Sequence, residues 1–208
     1  MGKQDVIRKG RKFDQVLEGA RSVFLRDGFE GASVDDIARA AGVSKATLYS
    51  YFPDKRLLFL EVARAECCRQ TDETEALICT ATTVREVLTI AATRLVGFFL
   101  AEFSIRVFRI CAAESDRFPE IGRAFFENGP AEVRTRLVTY LTYAESHGDL
   151  AITDKPLAAD QFMELCKADL FPKAMFGVGG PATEADKARV SNAAVDMFLA
   201  RYGVTATV

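Results

Sequence analysis

The residues of this sequence best suited to chemistry are four polar side chains within six consecutive positions. Ser44, Lys45, Thr47 and Tyr49 supply one ammonium group and three hydroxyl groups. An ammonium group binds phosphate oxygens or the acceptors on a guanine edge, and a hydroxyl group hydrogen-bonds to a phosphate or a base. This set of groups is therefore suited to binding a nucleic acid.

Patterns typical of catalysis or metal binding do not occur in the sequence. The single histidine, His147, precedes Gly148 at a predicted helix end, where a histidine is usually structural. No G-x-S-x-G motif and no phosphate-binding glycine loop is present. The odd number of cysteines without a C-x-x-C pair fits neither a disulfide scaffold nor a zinc ribbon: Cys67, Cys68, Cys79, Cys111 and Cys166. We therefore expect no enzyme, no metal site and no cofactor.

Two short helices separated by a turn are predicted between Ser33 and Phe52. Ser33 precedes an apolar face made by Val34, Ile37, Ala38 and Ala41, and Ser44 precedes a second face with Leu48 and Phe52. Serine is a favoured N-cap residue, and Gly42 lies between the two segments, where a positive φ angle is needed. This joint spacing is typical of a helix-turn-helix, whose second helix enters the major groove of DNA.

The helix-turn-helix assigns DNA contacts to particular side chains. The second helix directs its N-terminal residues to the bases, and the start of the first helix offers N–H groups to a phosphate. A basic segment, Arg8–Lys12, precedes these helices and is predicted to be a flexible arm for phosphate or minor-groove contact. The predicted DNA-binding residues are Ser33, Ser44, Lys45, Thr47, Tyr49, Lys55, Arg11 and Lys12.

The distribution of charge agrees with a small DNA-binding domain followed by a larger one. The whole chain has a formal charge of −2, but residues 1–56 contain 11 Lys/Arg and 8 Asp/Glu, and residues 57–208 contain 16 and 21. The first segment is therefore +3 and the second −5. We expect a DNA-binding domain over residues 1–56 and an effector-binding and dimerisation domain over residues 57–208.

Apolar residues recur at helical spacing almost throughout the chain. Examples begin at Phe13, Val84 and Val190, and strand-like alternation is nearly absent. Capping boxes are predicted at Ser33-x-x-Asp36 and Thr183-x-x-Asp186, and breaks at Gly28, at Asn128-Gly129-Pro130 and at Gly148. The sequence predicts an all-α protein of nine or ten helices, with an N-terminal three-helix domain and a larger helical domain.

The helix-turn-helix stretch resembles the N-terminal domain of the TetR family of bacterial transcriptional regulators. The resemblance covers residues 13–62 and is carried by FLRDGFEGASVDDIARAAGVSKATLYSYFPDKRLLFLEV. Residues 109–177 resemble the C-terminal domain of the AefR-like branch through AAESDRFPEIGRAFFENGP and LAADQFMELCKADLFPKAMFG. Position 50, often a histidine or another polar residue in the family, is Ser50 here, so its reach toward a base is short.

The resemblance implies a homodimer that binds a palindromic operator, most often as a repressor. It implies the same DNA contacts as the helix-turn-helix for six residues: Ser33, Ser44, Lys45, Thr47, Tyr49 and Lys55. It also implies that a small molecule entering the C-terminal domain releases the operator. Because a helix beginning at Asp54 joins the two domains, we expect the ligand to shift the spacing between the two recognition helices.

An unusually high phenylalanine content suggests the chemical class of the effector. The chain has 16 Phe and no Trp, and ten of the Phe residues lie between positions 98 and 176. Core packing explains most single phenylalanines, while a cavity between helices would bind an apolar or aromatic ligand. The candidate ligand-binding residues are Phe98, Phe99, Phe103, Phe108, Cys111, Phe125, Phe126, Phe162, Met163 and Cys166.

The last two long helices are the predicted dimer interface. Apolar stripes follow strong caps over residues 157–171 and 187–202, and two such helices from each subunit would form a four-helix interface. The candidate positions are Asp160, Met163, Lys167, Ala194, Met197 and Phe198.

Two alternatives remain open for the control of such a regulator. A protein partner could replace the small molecule, or cysteine oxidation through Cys67 and Cys68 or Cys111 could act as the signal. Residues 1–12 lack the apolar core of a signal peptide, and the run Leu95–Ala101 is far below the about 18 residues of a membrane span. We therefore expect a cytoplasmic protein without a membrane partner.

Overall fold

The computed structural model describes residues 10–204, except for the side chains of Thr71 and Glu75. The regular secondary structure in that range consists of α-helices, which confirms the predicted all-α class. A single antiparallel bridge joins Leu150 and Gly203. The helices are α1 (Arg11–Gly31), α2 (Val34–Ala41), α3 (Lys45–Tyr51), α4 (Lys55–Ile78), α5 (Val84–Leu100), α6 (Glu102–Glu114), α7 (Pro119–Asn128), α8 (Pro130–Ser146), α9 (Lys155–Leu165), α10 (Leu170–Phe176) and α11 (Glu184–Tyr202).

The predicted helix starts are built from side-chain caps. The Thr183 hydroxyl accepts from the Asp186 N–H, and the Asp186 carboxylate accepts from the Thr183 N–H, so the predicted capping box is complete. The Ser33 hydroxyl likewise accepts from the Asp36 N–H. In both caps the carboxylate also accepts from the hydroxyl, of Ser33 for Asp36 and of Thr183 for Asp186. Each cap satisfies an N–H group that has no partner inside its helix.

The predicted breaks depend on glycine conformation and on proline. Gly28 has φ 71° inside α1, and Gly42 adopts the left-handed conformation at the end of α2. Both conformations are costly for residues with a β-carbon. Gly129 alone separates α7 from α8, whose first residue is Pro130. The polypeptide therefore changes direction where the sequence predicts it.

The described helices form two compact units. The first contains the residues up to Glu66 together with Arg106–Phe125, and the second contains Cys67–Ile105 and the residues from Phe126 onward. Helices α4, α6 and α7 each contribute residues to both units. The grouping by contact therefore differs from the predicted division after residue 56, since a segment of α6 and α7 packs with the N-terminal residues.

The core of the first unit is aromatic and aliphatic. Phe24 lies edge-on to Phe59 with ring centroids 4.9 Å apart, and Phe13 lies 5.5 Å from Phe52. Buried aliphatic side chains from α1, α2 and α3 fill the space between these rings: Val16, Ala20, Val23, Ile37, Ala38 and Leu48. The α2 and α3 faces predicted to point inward are therefore buried, apart from half-buried Val34.

The core of the second unit is formed by α5, α8, α9, α10 and α11. Phe162 and Phe198 meet edge-on at 5.1 Å, and both are almost fully buried. Other buried side chains of α5, α8, α9 and α11 belong to the same core, among them Leu88, Val96, Leu141, Ala158 and Val195. The many apolar positions of α9 and α11 are thus used largely for packing inside one chain.

A close approach of α1 and α2 leads to a first prediction. A β-carbon at Gly19 would lie 2.5 Å from the backbone nitrogen and 2.6 Å from the Cα of Ala41. Because backbone atoms cannot rotate away, Gly19→Ala should lower the free energy of unfolding by about 1–3 kcal/mol. Thermal or urea unfolding followed by circular dichroism measures this change.

The matched control is Gly97→Ala in α5. A β-carbon at Gly97 meets no atom within 4 Å. Alanine is favoured over glycine inside a helix by about 1 kcal/mol, so this variant should be as stable as the parent or more stable. Equal stability of the Gly19→Ala variant and the parent would contradict the close packing of α1 on α2.

Candidate DNA-binding surface

The turn between α2 and α3 fixes the geometry of the helix-turn-helix. The N–H of Gly42 donates to the carbonyl of Arg39 at 3.2 Å, and the N–H of Val43 donates to the carbonyl of Ala38 at 3.0 Å. Ser44 then caps α3 by accepting from the N–H of Thr47 at 3.1 Å. Buried Leu48 anchors the other side of α3 in the core. The helix is therefore held at its start and along its inner face.

The outer face of α3 presents Lys45, Ala46, Tyr49 and Ser50 to solvent. Tyr49 is 49% exposed, although it is a large aromatic residue. The Ser50 hydroxyl donates to the carbonyl of Thr47 at 2.7 Å, so it is directed back to its own helix. Thr47 is half-buried and its hydroxyl lies 2.9 Å from that of Ser44. Lys45 and Tyr49 are consequently the side chains with the longest reach on this face.

The ammonium group of Lys45 is paired with a carboxylate of α2. Its Nζ lies 2.5 Å from Oδ1 of Asp35, and the two side chains are 57% and 59% exposed. The pair therefore lies on the surface that a helix-turn-helix offers to DNA. Asp35 was not among the predicted site residues, because sequence spacing alone does not show which acidic residue of α2 lies beside Lys45.

The hydroxyl of Ser33 is fully used at the start of α2. It accepts from the N–H of Asp36 at 3.0 Å and donates to the Asp36 carboxylate at 2.6 Å. Arg39 also donates to that carboxylate, at 2.8 Å. The hydroxyl bond, followed by the guanidinium, holds the pKa of Asp36 below its usual value. Ser33 therefore offers a phosphate its backbone, since its hydroxyl already has partners.

Lys55 is engaged in contacts with the C-terminal end of α1. Its Nζ donates to the carbonyls of Phe29 at 2.8 Å and Ala32 at 3.1 Å, and it lies 4.5 Å from the centre of the Phe29 ring. Two of the three N–H donors of this ammonium group are thus taken by the protein. The residue predicted to contact phosphate also has a structural role that the sequence did not reveal.

Arg11 and Lys12 are exposed residues of the first turn of α1. The carbonyl of Gly10 accepts from the N–H groups of Phe13 and Asp14 at 2.7 and 3.2 Å, so the helix begins directly after Gly10. The prediction of a flexible arm is therefore wrong for Arg11 and Lys12. The remaining predicted arm residues, Arg8 and Lys9, lie outside the described residues.

A cluster around Arg56 connects the start of α4 with α6 and with Phe118, which directly precedes α7, inside the first unit. Arg56 donates to both oxygens of Asp54 and, at 3.4 Å, to Glu114 of α6. Its guanidinium also lies 3.9 Å from the centre of the Phe118 ring. Asp54 caps α4 by accepting from the N–H of Arg56 at 2.7 Å. The guanidinium bonds lower the pKa of Asp54.

The predicted effector residues are divided between the two units. Phe108, Cys111 and Phe125 belong to the first unit, where the rings of Phe108 and Phe125 meet edge-on at 5.7 Å. The second unit contains the remaining members: Phe98, Phe99, Phe103, Phe126, Phe162, Met163 and Cys166. The residues that the sequence groups together are thus assigned to both units.

Three of the predicted dimer positions are buried inside their own chain. Met163, Ala194 and Phe198 are enclosed in the core of the second unit, so they are unavailable to a partner. An amphipathic stripe identifies a buried face but not which neighbour covers it. Met197, in contrast, is 61% exposed. The other candidates, Asp160 and Lys167, are half-buried.

Asp160 and Lys167 already make contacts within the chain. Asp160 accepts two hydrogen bonds from Arg134, at 2.7 and 2.6 Å. Lys167 donates to Glu164 at 2.6 Å, and its Nζ lies 5.0 Å from the centre of the Phe99 ring. Both side chains are therefore oriented by neighbours of the same subunit.

The cysteines are free thiols in different environments. Cys67, Cys111 and Cys166 are buried, Cys68 is half-buried and Cys79 is exposed. Burial raises the pKa of Cys111 to about 12 and that of Cys166 to about 12. Thiols with such pKa values are poor nucleophiles at neutral pH.

Between residues 10 and 204, no three His, Cys, Asp or Glu side chains converge to hold a metal ion. The helices of that same segment are too short or too polar to cross a membrane.

Two family models match this chain. The model of the bacterial regulatory proteins of the tetR family matches residues 16–62, and that of the C-terminal domain of AefR-like transcriptional repressors matches residues 86–204. The second match alone covers more than half of the chain. The chain belongs to the TetR family. It is therefore a DNA-binding transcriptional regulator and not an enzyme, as the helix-turn-helix and the lack of catalytic motifs predict.

Relatives of known sequence and structure agree with this assignment. The HTH-type transcriptional repressor AcnR of Corynebacterium efficiens is 40% identical over 58 residues, which are 28% of this chain and 31% of AcnR. The chain thus spans about a third of the length of this curated relative. A putative TetR-family regulator from Mesorhizobium loti MAFF303099 superposes with a TM-score of 0.82 at 30% identity, covering 95% of this chain and 99% of the other.

A further structure, described as the flavonoid-responsive regulator FrrA, is similar over nearly the whole length. Its TM-score is 0.68 and its sequence identity 34%, and the match covers 95% of this chain and 100% of FrrA. The two-part helical architecture is therefore shared along the full chain and is not confined to the helix-turn-helix.

The thiol environments lead to a prediction about reactivity. At pH 8, Ellman's reagent should modify exposed Cys79 quickly and leave Cys111 and Cys166 unmodified, because a pKa raised to about 12 reduces the thiolate fraction by about a thousand-fold. Peptide mapping by mass spectrometry identifies the modified residues. The same reaction in guanidinium chloride, where all five cysteines react, is the control. Modification of Cys111 as fast as Cys79 would contradict its burial.

Proposed function

We propose that the protein is a cytoplasmic repressor that binds a palindromic operator as a homodimer and leaves it when a small apolar or aromatic molecule binds. The observation that supports the DNA-binding part is the outer face of α3, where Lys45 and Tyr49 extend from a helix anchored by buried Leu48. A rigid helix with long polar side chains on one face suits direct reading of the major groove.

Contacts with the bases fall to the first turns of α3. Lys45 can donate to a guanine edge, and Thr47 or Tyr49 can contact a thymine methyl group or donate to a phosphate. Ala46, exposed beside Lys45, adds a small apolar surface of the kind that packs against a thymine methyl group. The sequence does not single out Ala46 as a DNA contact, because the alanine side chain has no hydrogen-bonding group.

Phosphate contacts fall to residues around α3. Arg11 and Lys12 lie exposed at the start of α1. The N–H groups at the start of α2, after Ser33, and the third donor of Lys55 add further contacts. These phosphate contacts orient the recognition helix, α3, on the duplex and carry no sequence information of their own.

For the homodimer, we propose the exposed surfaces of α9 and α11. Leu157 and Met197 are 50% and 61% exposed in the single chain, which is unusual for large apolar residues. Half-buried Asp160 and Lys167 lie on α9 or directly after it and would border the contact. Ala194 and Phe198 support this surface from the core behind it. Two copies of such a patch can pair about a two-fold axis.

For the effector, we propose an aromatic or apolar molecule bound in the second unit. Half-buried Phe98 and Phe99, together with Leu95 and Leu100, provide apolar surface at the end of α5. FrrA, which is 34% identical over 95% of the chain, is described as flavonoid-responsive. This likeness supports an aromatic ligand for the present chain. Control by oxidation of Cys111 is disfavoured, since burial raises its pKa to about 12.

Communication from the effector to the DNA is proposed to run through α6 and α7. These helices contribute residues to both units, and Arg56 fastens their junction to the start of α4 through Glu114 and Phe118. A ligand that favours another position of α6 would also move the first unit, which contains α1, α2 and α3. The two recognition helices would then leave the spacing of about 34–36 Å between successive major grooves.

Removal of the α3 side chains tests the DNA contacts. Lys45→Ala and Tyr49→Ala should each weaken binding to the operator by about 10-fold or more, because a base or phosphate contact is lost in both subunits. The operator is first located by footprinting upstream of the protein's own and neighbouring genes. Affinity is then measured by fluorescence anisotropy, and the dimer is checked by analytical ultracentrifugation.

Matched controls for these variants lie in the second unit. Lys173 is 57% exposed and paired with Asp169, as Lys45 is 57% exposed and paired with Asp35. Tyr143 is 59% exposed against 49% for Tyr49. Lys173→Ala and Tyr143→Ala should leave operator affinity unchanged. If all four variants bind the operator as tightly as the parent, the assignment of α3 as the recognition helix is wrong.

The coupling through Arg56 is tested with a panel of flavonoids. A flavonoid that binds should raise the melting temperature and lower operator affinity in the parent protein. In Arg56→Ala the stabilisation by ligand should persist while the loss of operator affinity becomes several-fold smaller, because the link to Glu114 and Phe118 is gone. Arg85→Ala, which breaks the ion pair with Asp196 in the second unit, is the control. A panel with no effect on melting or DNA binding would refute an aromatic effector.

A further inference from the structure

The two carboxylates in the first turn of α2 have different surroundings. The Asp36 carboxylate accepts hydrogen bonds from the Ser33 hydroxyl and from Arg39. The Asp36 N–H donates to the same Ser33 hydroxyl. Its charge therefore serves the cap of α2. Asp35, one residue earlier, extends to the neighbouring helix and pairs with Lys45 of α3. The cap explains the presence of Asp36 but not that of Asp35.

Folding stability does not account for the pair of Asp35 and Lys45 either. Both side chains are more than half exposed, at 59% and 57%. Ion pairs at such exposure contribute little to stability, since water screens them and two long side chains lose freedom. A carboxylate on a surface that approaches DNA also repels the phosphates. The position of Asp35 therefore acts against binding to DNA in general.

A lysine side chain without such a neighbour can bind phosphate in many conformations. Its ammonium is a compact charge on a flexible stem of four carbons, and phosphates lie on both sides of the major groove. A phosphate contact adds affinity on every sequence, whereas a contact with a base edge adds affinity on one sequence only. Discrimination thus depends on where the ammonium of Lys45 is held.

We propose that Asp35 is a specificity-determining positioning residue, which holds the ammonium of Lys45 toward the base edges and away from the phosphates. This inference rests on the proposed contact between α3 and the operator. The carboxylate of Asp35 binds one side of the ammonium and leaves its other N–H donors for an acceptor such as guanine O6 or N7. The same negative charge lowers affinity for duplexes that offer Lys45 only phosphates.

The inference predicts opposite changes on two kinds of DNA. Without the carboxylate, Lys45 is free to bind phosphate, so affinity for unrelated sequences should increase. Operator affinity should change less or decrease, because the base contact is no longer held in place. The salt dependence on unrelated DNA should also steepen, by about 0.9 in the slope of log K against log[salt] for each added phosphate contact.

Asp35→Asn and Asp35→Ala, made in the full-length protein, test the inference. A duplex library with a random core is selected in parallel with the parent and each variant, and the base preferences at every position are compared. Dissociation constants for the parent's selected duplex and a scrambled duplex of equal length are then measured over a series of KCl concentrations. Glu127→Gln makes the same change of charge in the second unit and is the matched control.

The expected result is a loss of discrimination at the base pair read by Lys45. In both variants the ratio of affinities for selected and scrambled duplexes should fall about 5- to 10-fold, and base preference should relax at one position of each half-site. In a Lys45→Ala background, Asp35→Asn should leave this ratio unchanged, because Asp35 acts through Lys45. Glu127→Gln should leave both the ratio and the base preferences unchanged.

Other outcomes would overturn the inference. Equal gains of affinity on both duplexes, present also in the Lys45→Ala background, would show that Asp35 contributes only general repulsion. Unchanged affinities would show that the pair has no effect on binding. If Lys45→Ala itself leaves operator affinity unchanged, the proposed contact of α3 fails together with this inference. If Lys45→Ala weakens binding while Asp35→Asn preserves the ratio, only the inference about Asp35 fails.

Discussion

The packing of the first unit depends on the contact between α1 and α2, where Gly19 leaves no room for a side chain against the backbone of Ala41. This contact places α2 against α1, and the turn at Gly42 then determines the direction of α3. The aromatic core of Phe13, Phe24 and Phe59 fills the remaining space. The orientation of α3 and of its polar side chains is thus set by backbone packing and by this turn.

The grouping of Arg106–Phe125 with the first unit increases the number of helices that belong to both units. A division after residue 56 would leave one covalent connection, α4, between the DNA-binding and the remaining residues. In the structure α4, α6 and α7 all belong to both units, and Arg56 ties the start of α4 to Glu114. The proposed communication between effector and DNA can therefore act through three helices and not through α4 alone.

Short-range signals made the fold predictable. Serine or threonine caps, the turn glycine and the break at Gly129 act within a few residues, so the sequence located the helix-turn-helix and the class correctly. The contacts of Lys55 with Phe29 and of Arg56 with Glu114 join residues 26 and 58 positions apart and depend on tertiary packing. Ala194 and Phe198 show the same limit, because a helical stripe looks alike whether its own chain or a partner covers it.

Gly28 limits how this protein can diverge by mutation. Its backbone has φ 71° and ψ −177°, and the space of its missing side chain is taken by the guanidinium of Arg106 from α6. Any other residue at this position would strain the backbone and displace Arg106 in one step. Mutations that alter the response of the regulator are therefore expected to preserve this glycine and to accumulate in the side chains around it, where small adjustments are tolerated.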